Sequence, residues 1–168
     1  MAITKFRGTV NATEGFQING VPVRFPGATQ AVDVTSATVT LDASTHSGKV
    51  VTLNRAAGIA VTLPAATGSG NIYRLYIGTA VTSNSTTIKV ANSSDTMVGF
   101  VLSTLAAGGT TFGESAGGTD DTITMNGSTT GGLVGSYIEL VDWQTNVWQV
   151  TGWLAGSGTL ASTLSATV

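Results

Sequence analysis

The chain has no cysteine and a single histidine, His46, among 168 residues. Disulfides, thiolate metal sites and a cysteine nucleophile are therefore excluded, and so is a His-rich metal centre. Charge is the next deficit. Asp, Glu, Lys and Arg make up 10% of the chain, against roughly 25% in an ordinary soluble domain. With a net charge of −2, the chain is no generic binder of nucleic-acid backbones. Long apolar runs are missing as well: none approaches the ~20 residues of a membrane-spanning helix. The start, Met1 to Gly8, has basic residues with no apolar segment behind them. No secretory signal is read there, and the chain is expected to be made and folded in a cytoplasm.

What fills the chain is Gly, Ser and Thr, 66 residues together, and mean hydropathy is nonetheless positive at +0.29. A chain so poor in charge and rich in small apolar residues is expected to bury surface against something besides itself, as an assembly subunit does. Its length suits one domain, able to bury roughly 70% of its unfolded surface without a staple. The charge is uneven: residues 1–79 carry a net +3 and residues 80–168 a net −5. A basic front and an acidic back would let copies meet head to tail, or bring the front to an acidic partner. Chance imbalance among sixteen charges is the plain alternative.

No window shows apolar residues at helical spacing free of Gly or Thr clusters. The strand signal recurs instead. Val39-Thr40-Leu41, Val51-Thr52-Leu53 and Val61-Thr62-Leu63 repeat one tripeptide, each followed by a breaker, Asp42, Asn54 or Pro64. These read as successive strands of one sheet system rather than a solenoid, because the repeat fades after Pro64. Further strands are expected at 72–77, 86–90, 97–102, 122–125, 137–141 and 147–150, with a hairpin loop at 142–146 and loops at 66–70 and 115–119. The expectation is all-β: an antiparallel sandwich or barrel-like domain of about 8–10 strands over residues 31–168.

Residues 1–30 differ. They hold Pro22 and Pro26, and Asn19-Gly20 between Gly15–Ile18 and Val21–Val23 is a strong hairpin signal. This stretch reads as an extended arm with a small hairpin. The competing reading folds it back as edge strands of its own domain. Phe6, Phe16, Ile18 and Phe25 are candidate apolar anchors for another chain, with Lys5, Arg7 and Arg24 supplying complementary charge.

Catalytic constellations are weak. His46 sits in a polar turn, Asp42 to Gly48, with no nucleophile elbow anywhere, and reads as a solvated loop histidine. Asp95, Glu114, Asp120 and Asp121 fall in Gly/Thr-rich loops without calcium-loop spacing, and read as solvated turn residues. Asp121 is also placed to start the next strand by a side-chain-to-backbone bond. The segment Gly68-Ser69-Gly70-Asn71 leads into a strand and lacks the Lys-Ser/Thr of a phosphate loop. Of the tryptophans, Trp148 reads as core, whereas Trp143 in the hairpin loop and Trp153 beyond Gly152 divide evenly between core and exposed contact. No enzyme activity, cofactor or metal is expected.

Several blocks carry a resemblance. They are Gly58-Ile59-Ala60-Val61-Thr62-Leu63-Pro64-Ala65-Ala66-Thr67-Gly68-Ser69-Gly70, Thr82 through Asn92, Asp120-Asp121-Thr122-Ile123-Thr124-Met125-Asn126, Gly135 through Asp142, and Trp148-Gln149-Val150-Thr151-Gly152. Together they resemble small structural proteins of tailed bacteriophages, especially capsid decoration (cement) proteins, and similar blocks occur in fibre-like virion proteins. The likeness runs over about residues 50 to 155. It implies a β-rich subunit, often a homotrimer, seated on the outer surface of an assembled capsid and bound to the major capsid protein. An N-terminal arm commonly helps hold the shell or a neighbouring subunit, a role carried here to residues 1–30 alone. The alternative is a fibre or receptor-binding module that recognises host glycan through Trp143 and Trp153. Neither reading involves a membrane or nucleic acid.

Overall fold

The computed structural model describes residues 16–18, 21–23 and 31–168. Strands β1 (Phe16–Ile18) and β2 (Val21–Val23) pair antiparallel across Asn19-Gly20, Phe16 opposite Val23 and Ile18 opposite Val21. They form a two-stranded sheet of their own and join neither of the two larger sheets.

From residue 31 the chain winds. Strands β3 (Val32–Val34), β5 (Val50–Leu53) and β7 (Ile72–Ile77) lie side by side in one sheet. Strands β4 (Thr38–Thr40), β6 (Ala60–Thr62) and β8 (Thr86–Lys89) lie side by side in the other. Every pair within these two sets is parallel. The chain alternates between the sheets at each strand, making three turns of a two-sided parallel coil. Inward residues stack from turn to turn: Val34 on Leu53 on Ile77, Val32 on Val51 on Leu75, and Val39 on Val61 on Ile88.

This explains the Val-Thr-Leu repeat and corrects its reading. Val39-Thr40-Leu41 and Val61-Thr62-Leu63 are neighbours in one sheet, and Val51-Thr52-Leu53 belongs to the sheet opposite. Each tripeptide places Val and Leu inward and Thr outward, as strand alternation requires. The repeat does continue past Pro64, as Leu75-Tyr76-Ile77 and Ile88-Lys89-Val90, where the buried–half-buried–buried pattern persists without the letters. Stacking selects for apolar volume on the inner face, so residue identity drifts while the pattern holds.

The second half adds β9 (Thr96–Leu105), β10 (Thr111–Asp120), β11 (Thr122–Met125), β12 (Tyr137–Gln144), β13 (Val147–Gly156) and β14 (Leu164–Ser165). The seven-stranded sheet runs β10-β9-β13-β12-β7-β5-β3, and the five-stranded sheet runs β14-β11-β8-β6-β4. Here β12 joins β7, and β11 joins β8, antiparallel, so the last turn of coil is the seam between halves. The expected all-β sandwich is the observed fold. Its sheets are mixed rather than purely antiparallel, since the coil and the β9–β13 pair are parallel. Among the described residues there is no helix, and twelve strands build the two sheets.

The inner faces meet in one core that includes Leu53, Val61, Leu75, Ile88, Ile123, Leu140 and Trp148. Trp148 is fully buried, edge-on to the Tyr73 ring with centroids 5.8 Å apart. Several segments are longer strands than the sequence suggests. Residues 115–119 belong to β10, where Ser115, Ala116 and Gly117 pair with β9 and Gly118 and Thr119 form a bulge before Asp120. Their Gly and Ser content is tolerated because β10 is an edge strand whose partner supplies the ladder. The hairpin between β12 and β13 narrows to Thr145-Asn146, with Asn146 at φ 64° taking the left-handed turn position. At Gly99, φ is 136°, and a Cβ would stand 2.0 Å from the Val150 carbonyl oxygen, so the close β9–β13 approach requires glycine.

Candidate binding face

The arm candidates come first. Lys5, Phe6, Arg7, Arg24 and Phe25 lie outside the described residues, and for Phe16 and Ile18 the structure gives their strand and register alone.

The carboxylates expected in solvated turns are mostly enclosed. Asp95 and Asp121 are buried, and Glu114 is half-buried. Each accepts hydrogen bonds from a distant loop. Asp95 holds the Ala66 N–H at 3.1 Å and the Asn92 side-chain amide at 3.0 Å. Asp121 holds the N–H groups of Thr167 at 2.7 Å and Val168 at 3.0 Å, with the Thr122 hydroxyl at 2.8 Å. Glu114 holds the N–H and hydroxyl of Thr163 and the hydroxyl of Ser162. Asp142, also buried, accepts five bonds of 2.6 to 3.1 Å from the backbone and hydroxyls of Thr67, Gly68 and Ser69. Burial alone would raise the Asp142 and Asp121 carboxyls. The hydrogen bonds outweigh it, and both sit below the usual carboxylate value. Asp121 and Asp142 are held on both oxygens by loop donors and act as clamps, whereas both bonds to Asp95 fall on Oδ2 and its buried Oδ1 has no protein partner.

His46 departs from the solvated reading. It is buried, with Nδ1 3.1 Å from the Asp42 backbone N–H and 3.1 Å from Asp42 Oδ2. Asp42 itself is exposed, and the Ser44 hydroxyl and Thr45 N–H lower its carboxyl to about 2. The pair closes the corner from β4 to β5. Among the described residues no cluster of three His, Asp or Glu could hold a metal ion, and no helix is long and apolar enough to cross a membrane. A concavity of about 450 Å³ lies between the β9–β10 turn and the segment after β13, lined by Leu105, Phe112, Leu160 and small polar residues. It holds no titratable side chain.

The outward face of the seven-stranded sheet is different in kind. Register places Thr52, Tyr76, Tyr137, Trp153 and Leu102 in one row across β5, β7, β12, β13 and β9. Adjacent strands are about 4.8 Å apart, so the three rings span roughly 10 Å. Tyr76 and Tyr137 have ring centroids 4.7 Å apart. Trp153 is 64% exposed. The next row holds Arg74, Glu139, Thr151 and Phe100. Arg74 Nε donates to Glu139 at 2.7 Å, and the Tyr137 hydroxyl donates to the same carboxylate at 3.0 Å. That bond lays the Tyr137 ring along β12. Burial together with the Glu139 bond pushes the Tyr137 hydroxyl up to about 12.

Of the two tryptophans offered for contact, Trp153 belongs to this row and Trp143 does not. Trp143 is exposed at the far end of β12, six residues or about 20 Å from Tyr137. Sequence reasoning missed Tyr76 and Tyr137. Alternation in 72–77 marks Tyr76 as outward-facing, but only strand pairing reveals that it neighbours Tyr137 and Trp153. No protein-family model, curated protein sequence or solved structure matches the chain.

Proposed function

We propose that the chain is a capsid decoration protein: a non-enzymatic subunit, trimeric on the particle, that docks on the outer surface of a phage shell and braces contacts of the major capsid protein. The observation that carries this reading is the hairpin β1–β2, which pairs with itself and leaves β3 and β4 as the outermost strands of their sheets. A hairpin that joins neither sheet is suited to another chain, and the short edge strands β3 and β4 are surfaces that assembly covers. The enclosed carboxylates support the same reading. Asp95, Glu114, Asp121 and Asp142 are engaged internally, so the acidic second half offers little free charge, and docking rests on apolar and backbone contacts. Many copies on one shell make individually weak contacts effective.

The test is co-sedimentation of the purified protein with phage shells that lack it, with solution mass measured in parallel. Saturable binding at a fixed copy ratio and a trimer-sized mass are expected. Replacing Phe16 and Ile18 together by alanine in the full chain should weaken binding at least tenfold and leave the β domain's thermal midpoint unchanged. Undiminished binding by that variant removes the arm from the mechanism, and no binding by the wild type removes the reading.

A further inference from the structure

We propose that His46 is a pH-sensitive latch on the corner between β4 and β5: neutral, it holds the Asp42 N–H, and protonated, it releases that N–H and takes the Asp42 carboxylate instead. The inference is independent of shell docking and stands on the surroundings of one ring atom. His46 Nδ1 lies 3.1 Å from the Asp42 backbone nitrogen and 3.1 Å from Asp42 Oδ2. An imidazole nitrogen carries either a lone pair or a proton in the ring plane, never both. With the lone pair it accepts from the N–H and sets electron density against the carboxylate. With a proton it donates to the carboxylate and opposes the N–H. The two neighbours ask for opposite states of the same atom, and a proton decides between them.

What each neighbour has elsewhere assigns the neutral state. Asp42 Oδ1 already accepts from the Ser44 hydroxyl at 2.6 Å and the Thr45 N–H at 2.7 Å, and the Asp42 side chain is half exposed to water. The backbone N–H of Asp42 has Nδ1 as its acceptor among the described residues. A backbone N–H left without an acceptor costs more than a carboxylate oxygen returned to water. The uncharged ring therefore keeps its lone pair on Nδ1 and its proton on Nε2. The His46 N–H donates in turn to the Asp42 carbonyl at 3.0 Å, so one residue ties down both backbone groups of Asp42.

Histidine is the side chain that ordinarily changes charge between about pH 5 and pH 8. Among the described residues the other titratable groups around this corner are Asp42 and Lys49 on the corner itself, Tyr73 on β7 and Asp142 on β12. The Ser44 hydroxyl and Thr45 N–H lower the Asp42 carboxyl to about 2, the Asp142 carboxyl is also lowered, and burial raises the Tyr73 hydroxyl. These three keep their charge state while His46 changes. The corner also bears on the loop that Asp142 clamps. Ser47 Oγ donates to Asn71 Oδ1 at 3.0 Å, Asn71 Nδ2 donates to Ser69 Oγ at 2.8 Å, and Ser69 Oγ donates to Asp142 Oδ2 at 2.6 Å. The latch thus sets how firmly this end of the sandwich is closed.

The experiment is nitrogen NMR on the full, isotopically labelled chain, titrated from about pH 8 to about pH 5. Ring shifts should show Nδ1 unprotonated and Nε2 protonated at the upper end. The Asp42 amide resonance should move with the His46 ring and share its midpoint. Hydrogen exchange at the Asp42 N–H, corrected for its intrinsic pH dependence, should speed about tenfold on protonation, the share of one hydrogen bond. His46→Asn puts an amide oxygen, an acceptor at every pH, near the place of Nδ1, and should abolish both the step and the change in exchange. The proposal is overturned if the neutral ring carries its proton on Nδ1, if the ring does not titrate in this range, if the Asp42 amide does not follow it, or if His46→Asn keeps the wild-type pH response. The first three readings need no variant, so they decide the matter even where His46→Asn fails to fold.

Discussion

In residues 31–90 the strands of successive coil turns stack on one another, and two of the corners carry caps built close to home. Asp42 bonds Ser44 and Thr45, and Arg55 donates to the carbonyls of Ala57 and Gly58. In residues 91–168 strands pair mainly antiparallel, and the carboxylates reach far along the chain. Glu114 reaches Thr163, Asp121 reaches Val168, and Asp142 reaches back to Gly68. The coil is held by repetition: each turn repeats the stacking of the last, so its corners need little more than a local cap. The other half has no repeat to set its loops, and buried carboxylates do that work one loop at a time. Two of them, Asp95 and Asp142, pin the coil's loop 66–69, so they also fasten one half to the other.

The contrast is most severely strained by Asp142→Ala. It leaves three backbone N–H groups and two hydroxyls without their acceptor, and about 4 kcal/mol of stability should be lost in urea denaturation. A loss below ~1 kcal/mol would mean that water replaces the clamp and that the pin between halves is unimportant. Leu53→Ala, in the middle turn of coil, should cost about 3 kcal/mol through transfer and cavity terms. Unfolding should remain a single transition, because β7 and β8 share sheets with β12 and β11. A separate early transition would show the coil to be its own cooperative unit.

Acid should act through one local cap and two of the clamps. Asp42, Asp121 and Asp142 all have carboxyls below the ordinary value of 3.8 in the folded chain. Their stabilisation is fully present above that value and is lost as pH falls through the lowered one. Through these three groups stability should fall from about pH 4 toward pH 2. Asp142→Asn should make that fall shallower, and an unchanged profile would remove Asp142 from the acid response. The smallest effect belongs to a coil corner. Arg55→Ala removes two bonds, to the carbonyls of half-buried Ala57 and buried Gly58, and should cost about 1 kcal/mol. A cost as large as that of Asp142→Ala would erase the distinction between local caps and long-range clamps.

Much of this fold is legible in the sequence. Strands β7 and β11 fall where alternation and β-branched density place them, and Asn19-Gly20 marks its hairpin. Trp148 reads correctly as core. What escapes is pairing. A spacing of ten or twelve residues between Val-Thr-Leu copies is the same whether the next strand lies beside the last or on the sheet opposite, so the coil hides behind an ordinary strand count. The aromatic row hides for the same reason, since Tyr76, Tyr137 and Trp153 are far apart in the chain and meet only through two strand pairings. The clamps escape because a carboxylate between glycines and threonines has the same letters whether it faces water or a distant N–H group.

The coil also works as a ruler. Each turn adds one strand to each sheet and advances the chain by one strand spacing, about 4.8 Å. Its inner face asks of a new turn only apolar side chains at alternating positions, and its outermost strands, β3 and β4, stand at the sheet edges. Duplicating one turn, such as residues 50–71, would move residue 31 one step further from β12 and leave the antiparallel half as it stands. The number of turns thus sets the separation between the base of the arm and the aromatic face, a length that can be changed in steps without redesigning either end.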